Sequence, residues 1–322
     1  MHKYTFTLKK NIKSNKDIIN SIENNGFAKI SNLYSNKLID NLILQVNKAL
    51  KNPSVCGSFG YAKKDHYRKY IYPPLVMGKP LKEVILNRFL IKIVESYFRC
   101  EPVLAELHIK HDEPAPYVYF PPHLDIFPGW KKSNDLKQVN KNDMKKRLGL
   151  GCIIYLKDCD TASGNFMYAL GSHKSIFLKG GAIKNYSKKE KDNIYSQMVN
   201  LDGKKGDIII FDDRGWHGPN QPAKKNRTVV ELDFTNPSYL GRWQAIDLQL
   251  PISMLTDLEE KELRILGKNS KILYDKYNYK ISTFNRNPLF KIQEWLIKYA
   301  YITEHYKKII KLLYSKMFRK TN

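Results

Sequence analysis

The sequence predicts an α+β protein, a jelly-roll type of double sheet preceded by N-terminal helices and followed by a helical C-terminal extension. Three observations predict it. Apolar residues recur at helical spacing over much of the first hundred residues; from Val103 the period changes to two, in many short runs parted by turn residues as far as Phe234; and beyond Pro251 the chain becomes charged and helical again. This divides the 322 residues into a main domain, 1–250, and a basic helical extension, 251–322.

In chain order, residues 17–24 read as a short helix and 27–30 as a strand. Residues 35–50 read as a second helix, with Leu38, Leu42, Leu44 and Val46 along it and Ser35 suited to cap it. Segment 57–79 holds glycine, proline and several tyrosines and reads as an irregular surface, either a packed connection or an approach to a site. Helical periodicity returns over 81–98. In the strand from Val103, alternation puts Leu104, Glu106, His108 and Lys110 on one face and Ala105, Leu107, Ile109 and His111 on the other, so only one of the two histidines can face a cavity.

After Asp125 come Phe127-Pro128-Gly129-Trp130 and a lysine-rich run to Arg147, which is either a basic lid or a solvated loop. Residues 148–156 read as a buried strand, 158–163 as a turn, and 164–170 as a strand that ends at Gly171-Ser172-His173-Lys174. Segment 177–199 is a second insertion and another lid candidate. Strands at 208–211 and 228–234 complete the sheet. In the extension, 257–266 reads as a charged helix, and from 288 to 320 Leu289, Ile292, Leu296, Tyr299, Ile302, Tyr306, Ile309, Leu313 and Met317 recur every three or four residues.

Lys and Arg number 55 against 31 Asp and Glu, a formal charge of +24. Such an excess favours anionic partners, unless the lysine content reflects only the base composition of the source genome. The long amphipathic stretch carries Lys291, Lys298, Lys307, Lys308 and Lys311 on its polar face, with Trp295 and Phe318 as anchors, so 288–322 is expected either to contact an anionic membrane surface peripherally or to dock on the barrel or a second subunit. No helix-turn-helix, zinc-finger or RNA-binding signature is present, and no nucleic-acid partner is expected. Cys56, Cys100, Cys152 and Cys159 show no C-x-x-C pairing and read as free thiols. With no apolar h-region in 1–15 and no long apolar run, the expectation is a cytoplasmic protein, with any membrane contact peripheral and at the inner face.

The chemistry gathers between His123 and Arg227. His123 and Asp125 stand two apart, which puts both side chains on one face of an extended segment. The apolar strand Gly206-Asp207-Ile208-Ile209-Ile210-Phe211 leads through Asp212-Asp213-Arg214-Gly215-Trp216 to His217, and Arg227 opens the next strand. Two histidines and a carboxylate can hold one face of an iron ion and leave the other positions open for a co-substrate and O₂. A guanidinium on a neighbouring strand suits the far end of a dicarboxylate. Fe(II) and 2-oxoglutarate fit both requirements.

The order of His123-Leu124-Asp125, Ala162-Ser163-Gly164-Asn165-Phe166, Gly171-Ser172-His173-Lys174, the 206–211 strand, His217-Gly218 and Arg227 resembles the phytanoyl-CoA dioxygenase (PhyH)-like family of Fe(II)/2-oxoglutarate-dependent oxygenases, as does the opening from Gly26 to Leu42. The resemblance spans about residues 20 to 240 and implies a cupin-like double-stranded β-helix. It also implies iron held by His123, Asp125 and His217, with Arg227 on the C5 carboxylate of 2-oxoglutarate. Leu124 stands where family members often have Gln, and Pro219 where they often have Ser, both positions near the co-substrate. Asp125 argues against halogenation, since halogenating relatives lack that ligand. In the resemblance His173 belongs to a structural turn, though its ring could donate to a substrate. The expected activity is hydroxylation of a C–H bond in a small-molecule, nucleotide-linked or lipid-linked anionic substrate. The other class of reading is a barrel without catalysis, a binding module or a membrane-surface scaffold acting through its basic C-terminal helix.

Overall fold

The protein is described by a computed structural model over residues 4–7, 15–51, 67–71, 79–130, 138–237 and 258–267. A short strand, β1 (Thr5–Thr7), precedes α1 (Lys16–Asn25). Gly26 ends that helix at φ 94°, its N–H returning to the Ile22 carbonyl at 2.9 Å, a left-handed stop that suits glycine. β2 (Phe27–Ser31) follows directly. α2 (Asn36–Leu50) starts at Ser35, whose hydroxyl accepts from the Leu38 N–H as the sequence predicts, a cap worth about 1 kcal/mol.

Segment 57–79 contains a strand that the sequence reading took for irregular surface, β3 (Arg68–Ile71). Where periodicity predicts one helix over 81–98 there are two, α3 (Lys79–Ile85) and α4 (Arg88–Phe98). Asn87 separates them, its side-chain oxygen accepting from the Phe89 and Leu90 N–H groups at 3.0 and 3.1 Å. An Asn side chain that caps a new helix competes with continuation of the old one.

β4 (Val103–Asp112), β5 (Gly149–Tyr155), β6 (Phe166–Ala169), α5 (Lys188–Ser196), β7 (Met198–Leu201), β8 (Ile208–Asp212), β9 (His217–Pro219) and β10 (Arg227–Thr235) complete the main order. They make a mixed α/β fold. One sheet has seven strands in the order β1-β2-β8-β5-β10-β4-β3, and a second has three, β7-β6-β9. One face of the large sheet, with Ile109, Cys152, Ile154, Ile210, Val230 and Leu232, packs on the helices through Ile22, Leu42, Leu90 and Val94. Its other face meets the small sheet, where Phe27, Tyr155, Phe211 and Val229 pack against Phe166 and Tyr168. Strict alternation fails once in β4. The register passes from Asp233 opposite Glu106 to Phe234 opposite Leu104, so a bulge at Ala105 moves Leu104 off the face of Glu106 and into the helix-side core.

Residues 258–267 hold a helix, Glu260–Ile265, whose Leu263 and Ile265 bury in the same core while Arg264 pairs with Glu101. Cys152 and Cys159 are free thiols, Cys100 donates from Sγ to the Asn236 side-chain oxygen at 3.3 Å, and Cys56 lies outside the described residues. The periodic stretch 288–320 also lies outside them. Among the described residues no helix is long and apolar enough to cross a membrane.

Candidate metal centre

The turn after β8 is built to deliver His217. Buried Asp212 accepts from Arg214 Nε at 2.8 Å and Nη2 at 2.5 Å, and from the Tyr97 hydroxyl at 2.5 Å. A side chain at Gly215 would collide with the Tyr168 hydroxyl, so the chain can turn there only without one. Trp216 is fully buried against Phe177 and Tyr186. His217 then opens β9 and exchanges both backbone hydrogen bonds with His123, at 3.0 and 2.9 Å. The two histidines are therefore direct cross-strand neighbours, with ring centroids 4.5 Å apart. Asp125, two residues on, has its N–H on the Asp213 carbonyl at 3.2 Å. Leu124 turns the other way, into the cluster around Trp216, so one of the two positions at which this chain departs from the family pattern faces away from the imidazoles and Asp125.

One ligand atom from each of His123, Asp125 and His217 lies within 4.8 Å of the others. His217 Nε2 is 3.0 Å and His123 Nε2 3.5 Å from the Asp125 carboxylate. Each imidazole is oriented from behind, Nδ1 of His217 lying 2.9 Å from the Gly215 carbonyl and Nδ1 of His123 3.1 Å from that of Pro121. A carbonyl can only accept, so Nδ1 carries the proton and Nε2 presents its lone pair to the centre. Burial, then the neighbouring His217, pushes His123 down to about 4 against the pull of Asp125. Burial opposes ionisation of Asp125, but His217 and His123 hold its carboxyl well below the usual carboxylate range. A divalent metal requires neutral imidazole and ionised carboxylate, and this donor set fits iron. Phe120, Phe166 and Phe211 pack their rings 4.6 to 5.7 Å from the two imidazoles, while the Asp125 side chain is 44% exposed and marks the open side.

Arg227 lies at the start of β10, buried and directly opposite Asp112. Its Nε and Nη2 donate to Asp112 Oδ2 at 3.1 and 2.5 Å and its Nη1 to the Gly164 carbonyl at 3.0 Å. The fork edge expected to meet a dicarboxylate thus holds a protein carboxylate. Asp112 also accepts from Arg68 Nε and Nη2, at 2.5 and 3.1 Å. The sequence reading singled out neither Asp112 nor Arg68, and the only local signal was the placement of Asp112 on the face of Lys110 by period two.

The remaining candidates fall away from the triad. His108 approaches Glu231 at 3.2 Å, and His111 on the opposite face meets Thr228 at 2.9 Å. His173 is buried with Nε2 3.0 Å from the Glu23 carbonyl, a structural tie to α1. The two lid candidates are packed where they are described. Val139, Met144 and Leu148 cluster with Ile126, and Arg147 pairs with Glu23; residues 131–137 lie outside the described residues. In the second segment Ile183, Tyr186 and Ile194 surround Trp216, and Ala182 bridges to His123, so apolar anchors make it a wall of the site.

The sequence profile of the phytanoyl-CoA dioxygenase (PhyH) family matches residues 81–228. No curated protein sequence matches the chain. Among solved structures, the non-heme alpha-ketoglutarate-dependent carbocyclase SnoK from nogalamycin biosynthesis is similar with a TM-score of 0.54 and 14% identity, over 70% of this chain and 85% of that one. The epimerase SnoN in complex with Fe3+, alpha ketoglutarate and nogalamycin RO follows at 0.52 and 13%, over 69% and 83%. HygX from Streptomyces hygroscopicus, with nickel and 2-oxoglutarate bound, gives 0.52 and 13%, over 68% and 86%. At such identities the likeness is one of fold. The profile match is one of sequence, and it contains His123, Asp125, His217 and Arg227: residues 81–228 are similar in sequence to the phytanoyl-CoA dioxygenase (PhyH) family.

Proposed function

We propose that this protein is an Fe(II)- and 2-oxoglutarate-dependent oxygenase that hydroxylates a C–H bond of a small polar molecule. The observation that carries this reading is the triad, two imidazoles oriented by backbone carbonyls and one ionised carboxylate, with ligand atoms within 4.8 Å of one another. His123, Asp125 and His217 would hold iron on one side, and Arg227 would anchor the far carboxylate of 2-oxoglutarate. With O₂ these groups would supply the oxidising power for converting substrate C–H to C–OH, at the expense of 2-oxoglutarate, which would be spent as succinate and CO₂. The protein's own part is to orient and to exclude water. Phe120, Phe166 and Phe211 shield the imidazoles, and the exposed Asp125 side faces the substrate opening.

The two packed sheets support a double-stranded β-helix, and we assign 1–250 to the oxygenase domain and 251–322 to the basic extension. Neighbours of the same fold accommodate elaborate small molecules, as in the nogalamycin RO complex of SnoN, which supports a small-molecule substrate here. For its charge the site offers both signs. With Arg227 given to the co-substrate, Lys110 favours an anion, while Glu106, Glu231 and Asp233 on the same strands favour a cation or a polyol, so the +24 of the whole chain is not repeated on this wall.

The test is an anaerobic titration of metal-free protein with Fe(II) and then 2-oxoglutarate, watching for the visible charge-transfer band of the chelate, with His217→Ala alongside. A wild-type band that the variant lacks supports the assignment. No band from folded wild-type protein would remove it.

A further inference from the structure

Arg227 does not stand alone on its wall. Arg68 on β3 and Arg227 on β10 flank Asp112 on β4, and the three side chains are 5%, 5% and 8% exposed. Both guanidiniums remain charged in a protein, and Asp112 is ionised, since the two arginines outweigh its burial. Among the described residues neither arginine meets a second carboxylate. The cluster therefore carries one uncompensated positive charge out of water, an arrangement that is costly unless an anion joins it.

Among the described residues, two polar atoms there are buried without a hydrogen-bond partner, Arg68 Nη1 and the Tyr119 hydroxyl. The Arg68 guanidinium lies 5.7 Å from the Tyr119 ring centroid and 4.5 Å from that of Phe120. Phe120 in turn meets the His123 ring edge-on, with centroids 4.6 Å apart. Arg227 uses three N–H groups, on Asp112 and Gly164, and keeps one free on each of Nη1 and Nη2.

We propose that Arg68 and Tyr119 join Arg227 in binding the distal carboxylate of 2-oxoglutarate, with Asp112 as the positioning residue that sets the two guanidiniums side by side. This rests on the functional reading above. One carboxylate would cancel the buried charge and has acceptor sites enough for the orphaned Arg68 and Tyr119 donors together with the free Arg227 N–H groups. The Arg68 guanidinium is separated from His123 by a single aromatic ring, Phe120. Arg68 and Tyr119 then act at the end of the co-substrate remote from the metal, and Arg68 does so from a strand outside the matched family segment.

The experiment uses the full chain, metal-free and anaerobic, with Fe(II) added and two keto acids titrated separately. One is 2-oxoglutarate. The other is 2-oxobutyrate, which has the same chelating end but no distal carboxylate. The chelate band and the thermal shift on keto-acid binding are read for wild type, Arg68→Ala, Arg68→Lys and Tyr119→Phe. Charge-assisted hydrogen bonds of this kind predict that Arg68→Ala weakens 2-oxoglutarate by roughly 10- to 100-fold, that Arg68→Lys recovers part of this, and that Tyr119→Phe weakens it by about 5-fold. Binding of 2-oxobutyrate should stay within about twofold in every variant, because it makes none of these contacts. If Arg68→Ala does not fold, Arg68→Lys and Tyr119→Phe carry the same comparison. Unchanged discrimination between the two acids in folded variants overturns the proposal, as does equal weakening of both, which would mark a structural role. A wild-type protein that binds neither acid overturns it together with the functional reading; a wild-type band with indifferent variants overturns it alone.

Discussion

Among the described residues, two clusters bring three metal-capable side chains within the same 4.8 Å, and they are built differently. One is His123, Asp125 and His217; the other is Glu106, His108 and Asp233, on the facing strands β4 and β10. In the first, both histidines have Nδ1 occupied by a backbone carbonyl, which turns Nε2 toward Asp125, the third member of the cluster. In the second, His108 Nδ1 already approaches the Glu231 carboxylate, which Lys110 also holds, and an ammonium amid the carboxylates does part of the work a metal ion would do. Proximity of ligand types does not define a site. What separates the two is whether the ligand atoms are oriented from behind and turned toward one another, or are drawn to a group outside the cluster.

The largest effect should come from loosening the turn that orients His217. Arg214 donates through Nε and Nη2 to Asp212 and through Nη1 to the Met144 carbonyl, all buried. Arg214→Ala leaves the Asp212 carboxylate without its charge partner and should cost about 3 to 5 kcal/mol, as breaking a buried pair from one side does. Denaturant unfolding measures it, and a loss below about 1 kcal/mol would show that the pair adds little. The pH dependence has a sign. Burial raises the Asp212 carboxyl but Arg214 outweighs it, so the folded value lies below the ordinary one. The stabilisation is complete above the unfolded value near 4 and is lost as pH falls through the folded value, so the gap between wild type and variant should narrow in acid.

The triad was legible because its information is local. His123 and Asp125 are two apart, and His217 follows an apolar strand by a turn of charged residues and glycine. Arg68 and Asp112 were not legible, because what joins them to Arg227 is strand register. Arg68 meets Asp112 across 44 positions and Arg227 meets it across 115, and no local pattern encodes which residue lies opposite which. The misplacement of Leu104 has the same origin, since one bulge against β10 reverses a face that alternation alone assigns. The break between α3 and α4 is a different failure. Asn87 is a local cap signal, outweighed by an apolar period that runs on through it.

Asp125→Ala should have the next largest effect, and on function alone. The side chain is 44% exposed, so its loss should change stability by less than about 1 kcal/mol, while Fe(II) affinity should fall by more than roughly 100-fold, since even partners behind a ligand are worth 10- to 100-fold. Iron titration with thermal denaturation on the same samples separates the two. Arg214→Ala and Asp125→Ala thus divide the centre into the part that holds the turn and the part that would meet the metal. If Asp125→Ala destabilised the fold as strongly as Arg214→Ala, the carboxylate would belong with the structural charges.

His108→Ala should have the smallest effect and tests the comparison most directly. The ring touches Glu231 and meets Tyr70 edge-on at 5.6 Å, so its removal should cost about 1 kcal/mol of stability and leave Fe(II) affinity within about twofold. Glu231 keeps Lys110 as its partner, so no carboxylate is stranded. The informative quantity is stoichiometry. Wild type and variant should each bind one equivalent of Fe(II) tightly, and the variant should form the same chelate band. A second tight equivalent in wild type that His108→Ala abolishes would mean that Lys110 and Glu231 yield to a cation, and that ligand atoms oriented from behind are not what distinguishes a metal centre in this fold.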